Sequence, residues 1–401
     1  MSVPLDRLYH FLADCVNHDL VIYRWFPHGS RKLQDLKLLN TVSDHQILNL
    51  PIMICHDQEL LIWNYYSKNC LKQATIEFYR PGWFYHHLSD TILDYHVNTY
   101  LRSVISCANK FDKVLLLHSE QKSSQVDIFS KNGFVPVYYW SHAVIALDWY
   151  RFAKHDPKLN FRDGTFVYDF LIYNRAWSGT REYRLSFVEN LLKNNLGDCT
   201  NTKFSQFDDG LDYRMHQFVN PKFTITDDTM HEKITSNTAG SDASADYNND
   251  DYLNSAIEIV LETLFDDSRW HLTEKTLRPI ACGKPFILAA TAGSLEYLRS
   301  YGFKTFTGFI DESYDTITDS HARLDAVVLE MKRISQLDTG TKQQLFTDLH
   351  QIAKYNQHHF FNNLFDIVIE EYKTNLDRAM SVMYQHQTGM HRKKIQKLLQ
   401  Q

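Results

Sequence analysis

The chain has 401 residues, a length that suits two hydrophobic cores better than one. Apolar residues make up 44% and charged residues 22%, which excludes the collagen-like, low-complexity and wholly disordered classes. A formal net charge of −6 excludes a chain that is basic throughout, so any nucleic-acid contact would need a local basic face.

In chain order, residues 1–6 carry no basic region, and His10 and Asp14 interrupt the apolar stretch 8–16. The expectation is therefore a chain without a secretory leader. No apolar run reaches membrane-spanning length. Six cysteines lie far apart with no CxxC pair, which points to reduced thiols in a cytoplasm. Twenty histidines show no HExxH spacing, and no metal is expected.

The first half alternates short apolar runs with polar stretches. Strands are predicted at 20–23, 52–55, 114–117 and 134–138, and helices at 88–107 and 123–131. Continuous apolar strands alternating with helices predict a buried parallel sheet. The second half repeats the rhythm: a strand at 166–173, a helix at 180–196 and a strand at 223–226. A polar stretch at 236–251 reads as a linker. Then come a strand at 256–261, a helix at 273–282 and a strand at 285–289. The last sixty or so residues read as long helices ending in the basic run His391, Arg392, Lys393 and Lys394.

Two segments carry chemistry. In AIEIVLETLFDDSRWHLTEKTLRPIACGKPFIL (256–288) a buried strand ends at Glu262, and Thr273, Glu274 and Lys275 open a helix. Thr273 is a good N-cap, and a helix N-terminus with unpaired N–H groups seats phosphate. Lys275 opposes the helix dipole in the first turn and so calls for an anion, while Arg278 follows one turn later. For this segment alone, the alternative is a solvated helix start with a stray lysine. In the second segment Tyr173, Asn174 and Arg175 end a strand. Ser178, Gly179, Thr180 and Arg181 then open a helix, with Arg184 three residues on. Arg181 and Arg184 share a face and are spaced to clamp a diphosphate. Neither segment is a P-loop or a GxGxxG fingerprint. Asp208, Asp209, Asp266 and Asp267 read as loop acids rather than a DxD metal motif.

The run Val260, Leu261, Glu262, Thr263, followed by Thr273, Glu274, Lys275 and Pro285, resembles the donor motif of glycosyltransferase family ten, the α1,3-fucosyltransferases. That motif reads FEN, then Y-x-TEK, then a proline-initiated strand. Thr263 stands where the family has asparagine and His271 where it has tyrosine, and the loop is about two residues longer. The resemblance implies that Glu262 closes the strand, Glu274 binds the ribose, Lys275 binds the diphosphate and Arg184 is the phosphate arginine. Other phrases resemble glycosyltransferases of tailed phages, a set that includes enzymes glycosylating 5-hydroxymethylcytosine in DNA. These phrases are Pro27 to Arg31, His56 to Glu59, Leu117 to Glu120, Asp148 to Arg151 and Tyr173 to Arg184.

Transfer at an anomeric carbon needs a base for the acceptor hydroxyl and cations for the leaving diphosphate. The first half offers two acidic strand tips, and strand carboxyl ends face the ligand crevice in open α/β sheets. Glu59 is the first candidate base, in a place similar to the family's glutamate. Asp57 is second and Glu120 third; a helix-start acid is the alternative role for Glu59.

The expectation is an α/β protein of the GT-B type, with two Rossmann-like domains and an interdomain cleft. Residues 1–160 bind the acceptor, 161–345 bind the nucleotide sugar, and 346–401 form helices that pack back. Arg175, Arg181, Arg184, Glu262, Thr273, Glu274, Lys275 and Arg278 are the expected donor-binding residues. The expected co-substrate is a nucleoside diphosphate sugar, UDP-sugar ahead of GDP-sugar, with no obligatory cofactor or metal and with inversion. The resemblance favours 5-hydroxymethylcytosine in duplex DNA as acceptor, met by a monomeric cytoplasmic enzyme with Arg24, Arg31 and Lys32 on a basic rim. A surface glycan or lipopolysaccharide sugar is the alternative acceptor, and a non-catalytic nucleotide-binding module the alternative class.

Overall fold

A computed structural model describes residues 21–24, 52–55, 114–131, 134–159, 166–208, 210–226 and 247–399. The chain divides into two compact units. One comprises Met1–Tyr65, Thr91–Ile145 and Asp366–Gln401, the other Tyr66–Asp90 and Ala146–Phe365.

The first unit holds β1 (Val21–Arg24), β2 (Ile52–Cys55), β3 (Val114–His118) and β4 (Val135–Tyr138) in that order in one parallel sheet. All four apolar runs of the sequence become these strands. Leu115, Leu116 and Leu117 are buried, as a sheet covered on both faces requires. Helix α1 (Ser124–Lys131) joins β3 to β4, and α2 (Ser141–Trp149) follows β4.

The second unit is built on β5 (Tyr168–Asn174), which leads through α3 (Tyr183–Lys193) to β6 (Thr200–Phe204). A two-residue hairpin of β7 (Phe207–Asp208) and β8 (Leu211–Asp212) follows. Helix α4 (Asn249–Asn254) enters β9 (Ser255–Leu261), and α5 (Glu274–Ala281) leads to β10 (Phe286–Ala289). The sheet is parallel, in the order β10-β9-β5-β6. Beyond it lie α6 (Ser294–Ser300), α7 (Ser320–Ser335) and α8 (Thr339–Asn362). The last helix, α9 (Leu364–Leu399), belongs mainly to the first unit. There Asn375 donates to the Tyr138 carbonyl at 2.9 Å and Tyr372 packs on Tyr139.

Both crossovers, β5–α3–β6 and β9–α5–β10, are right-handed by rule but run outward in opposite directions. They therefore place α3 and α5 on opposite faces of the sheet. The strand order reverses between β9 and β5, and their carboxyl ends form a topological switch point. Every residue of β9 is buried, which explains its SAIEIVL sequence. Its one charge, Glu258, takes Arg278 of α5 at 2.5 Å.

Two expectations are corrected. Residues 223–226 form no strand, because two of their N–H groups go to side chains of α3. Thr224 N–H donates to Ser186 Oγ at 3.0 Å and Thr226 N–H to Glu189 Oε1 at 2.5 Å, both from α3. The fourth sheet position belongs instead to β6, whose polar TNTKF sequence suits an edge strand. The stretch read as a linker to 251 ends earlier, since Asn248 caps α4 through Asp250 N–H.

Candidate functional site

The switch point is organised by a buried carboxylate. Glu262 directly follows β9 and is fully buried. Its register sets its direction: Leu171 pairs with Glu258, so Glu258, Glu262 and Tyr173 share one face, the face covered by α5. Five donors converge on Glu262. Oε1 accepts Thr273 N–H at 2.9 Å, Thr276 N–H at 3.3 Å and the Thr276 hydroxyl at 2.6 Å. Oε2 accepts Thr263 N–H at 3.0 Å and the Thr273 hydroxyl at 2.8 Å. Burial pushes the carboxyl pKa up, but the Lys275 charge and these hydrogen bonds outweigh it and hold the value below normal.

Thr273 is the N-cap of α5, as its sequence position predicts. Lys275 Nζ lies 3.1 Å from Thr273 Oγ1, 3.3 Å from Thr263 Oγ1 and 2.9 Å from Glu274 Oε1. The anion that a lysine at a helix start calls for is thus supplied first from within the protein. The Lys275–Glu274 bridge joins sequence neighbours, and its lysine is one-fifth exposed.

The other predicted donor residues separate. Arg184 is buried, and its fork donates to the carbonyls of Ala176 at 2.6 Å, Leu261 at 2.6 Å and Glu262 at 3.0 Å. It ties the β5–α3 turn to the end of β9. Arg278 is buried on the other face, paired with Glu258 and 4.4 Å over the Tyr173 ring. The Glu258 charge raises its pKa further against the opposing effect of burial, the largest influence on it. Tyr252 donates its hydroxyl to the same Glu258 carboxylate. Arg175 and Arg181 stay half-buried in the β5–α3 turn. Gly179 opens that turn's 3-10 helix at φ +64°, a conformation glycine adopts without strain. Asp208 fastens the turn by accepting Trp177 N–H at 2.9 Å, Ser178 N–H at 2.8 Å and the Ser178 hydroxyl at 2.6 Å. Asp266 pairs with Lys222 and Asp267 with Arg269, each a loop fastener.

Asn174, the last residue of β5, was not among the predicted site residues. It is buried, and neither atom of its carboxamide has a protein partner. Arg184 Nε and Thr291 Oγ1, just beyond β10, are buried and unpartnered at the same edge of the sheet. The signal in the sequence was a single amide closing the apolar run FLIY.

In the first unit, β3 ends in buried His118, Ser119 and Glu120. Ser123 donates to Glu120 at 2.5 Å, and Ser119 Oγ accepts Ser141 N–H at the start of α2. Glu59, Asp57, Arg31 and Lys32 lie outside the described residues, as does the side chain of Arg24. No helix among the described residues is long and apolar enough to cross a membrane. No protein-family model, curated protein or solved structure matches this chain.

Proposed function

We propose that this chain is a nucleotide-sugar-dependent glycosyltransferase of the GT-B type whose second domain holds the donor at the β5–β9 switch point. The observation that carries the reading is the start of α5 at those strand tips. A threonine-capped helix there presents Lys275 beside an edge that holds several unpartnered buried polar atoms. Buried polar groups are rarely left unpaired, and a ligand rich in oxygen supplies what they lack. Lys275 meets the diphosphate in exchange for Glu274, and Arg175 and Arg181 line the neighbouring turn. UDP-sugar is the favoured donor.

In this reading Glu59 is the base that takes the acceptor hydroxyl's proton, with Asp57 and then Glu120 as its substitutes. The acceptor is 5-hydroxymethylcytosine in duplex DNA, glycosylated with inversion by a monomeric enzyme in the cytoplasm. Mass spectrometry of hydroxymethylcytosine DNA incubated with a panel of UDP- and GDP-sugars tests the reaction. A mass increment on a glycan acceptor and none on DNA moves the acceptor to surface polysaccharide. The donor half has its own test in Lys275→Ala. Loss of a charge-assisted contact of about 1.5–3 kcal/mol weakens UDP binding at least tenfold in calorimetry. Unchanged affinity for both UDP and GDP refutes the donor assignment.

A further inference from the structure

We propose that Glu262 is a positioning residue, filling the anion seat at the N-terminus of α5 from inside the fold and so fixing the Lys275 ammonium at the strand tips. The proposal rests on the donor reading above and names the group through which that site is built. Four features support it.

First, Glu262 touches no solvent, so it is placed to act on a donor through its neighbours rather than by contact. Second, its partners are the N-cap Thr273, the first-turn Thr276 and Thr263, and two of these, Thr273 and Thr263, also hold Lys275 Nζ. Moving the carboxylate therefore disturbs the Thr273 hydroxyl directly and Thr263 through its backbone N–H, the two residues whose hydroxyls seat the ammonium. Third, three of its five donors are backbone N–H groups, which cannot reverse their role. Those three are shared between Oε1 and Oε2, so an amide in either orientation sets an NH2 against at least one backbone N–H. The seat thus requires a carboxylate with both oxygens accepting. Fourth, Arg184 ties down the backbone at Glu262, donating to the Leu261 carbonyl at 2.6 Å and the Glu262 carbonyl at 3.0 Å. The position of Glu262 is set before any ligand arrives.

A positioning role differs from simple support of the fold in one measurable respect: it passes through Lys275. Full-length wild type, Lys275→Ala, Glu262→Gln and the double variant are titrated with UDP and GDP by calorimetry, with thermal melts to establish that each is folded. Because Glu262→Gln threatens folding, Thr276→Val runs in parallel, alone and combined with Lys275→Ala; it removes the 2.6 Å hydroxyl bond and leaves the carboxylate in place. Each single variant at Glu262 or Thr276 is expected to weaken nucleotide binding, by at least tenfold and about threefold respectively. Neither is expected to weaken it further, by as much as twofold, when Lys275 is already alanine, because coupled residues do not add. Factors that multiply across the cycle overturn the proposal, as does full affinity in folded Glu262→Gln. Lys275→Ala binding UDP and GDP like wild type removes the donor reading and this proposal with it. Multiplying factors alongside a weakened Lys275→Ala remove the proposal only.

Discussion

Replacing Lys284 with methionine isolates a buried charge in the second unit. Lys284 follows α5 in the chain; it is buried, and its ammonium donates to the Tyr252 carbonyl at 2.9 Å and lies 5.8 Å from the Phe166 ring centre. The titratable groups around it are Cys282 and His350, and no carboxylate is paired with it among the described residues. Burial lowers its pKa from an ordinary 10.5 to about 8. A lysine depressed in the folded state stays neutral there while the unfolded chain still binds the proton. Stability therefore rises with pH between about 8 and 10.5, and the penalty is fully present below 8. At roughly 1.4 kcal/mol per pH unit this penalty is about 3 kcal/mol. Methionine keeps the stem's packing, removes the charge, and leaves the Tyr252 carbonyl unpaired at a cost of about 1–3 kcal/mol. At pH 7 Lys284→Met is expected to be between neutral and about 2 kcal/mol more stable. Guanidinium unfolding at steps from pH 7 to 10 reads the difference between the two proteins, so that ionisation of buried Cys282 and the tyrosines cancels. The advantage of methionine should vanish and reverse as pH rises past 8. A difference constant across that range refutes the reasoning.

Three other outcomes are expected. If Glu59 is the proposed base, Glu59→Gln keeps the side chain's shape but not its basicity, so turnover should fall about a hundredfold to ten-thousandfold while UDP affinity holds. A fall in affinity equal to the loss in rate would assign Glu59 to cleft structure instead. Binding to duplex DNA should drop steeply between 50 and 200 mM salt if Arg24, Arg31 and Lys32 meet phosphates, and a flat salt response argues for a glycan acceptor. Burial and the charges of Lys284 and Lys354 hold the His350 pKa down at about 3, so stability should decline as pH falls from about 6.5. Buried Asp315, raised to about 6, acts in the opposite sense there, so the test is the difference between wild type and His350→Gln, which should close with acidification.

The sheets were legible because their strands are continuous apolar runs that only burial on both faces explains. The edge strand β6 was not, since TNTKF has a half-exposed polar pattern that periodicity assigns to a loop. At the site, the N-cap Thr273, Glu262 at the strand end and Lys275 in the first turn all follow from local sequence. The clamp of Arg181 and Arg184 was read from spacing, which says that two residues share a helix face but not which way that face looks. Arg184 looks inward and spends its fork on three carbonyls; Arg278 looks inward on the opposite side of the sheet to meet Glu258. The partner of each is 77 or more, or 20, residues away along the chain, or lies in a turn whose conformation depends on Gly179. Sequence spacing contains no information on such pairings.

The reversal of strand order between β9 and β5 also sets when the site comes into being during folding. The pairs β5–β6 and β9–β10 close loops of about 25 residues, whereas β5–β9 closes one of roughly 80, the slowest step in entropic terms. Each half-sheet forms its own crossover early, yet neither contains the edge that Arg184 ties together from both. On the donor reading, the nucleotide's site is complete only when the two halves zip, since Lys275 comes from one and Arg175 and Arg181 from the other. The nucleotide should therefore leave the refolding rate almost unchanged and act on unfolding alone, lengthening the lifetime of the native state in proportion to its occupancy.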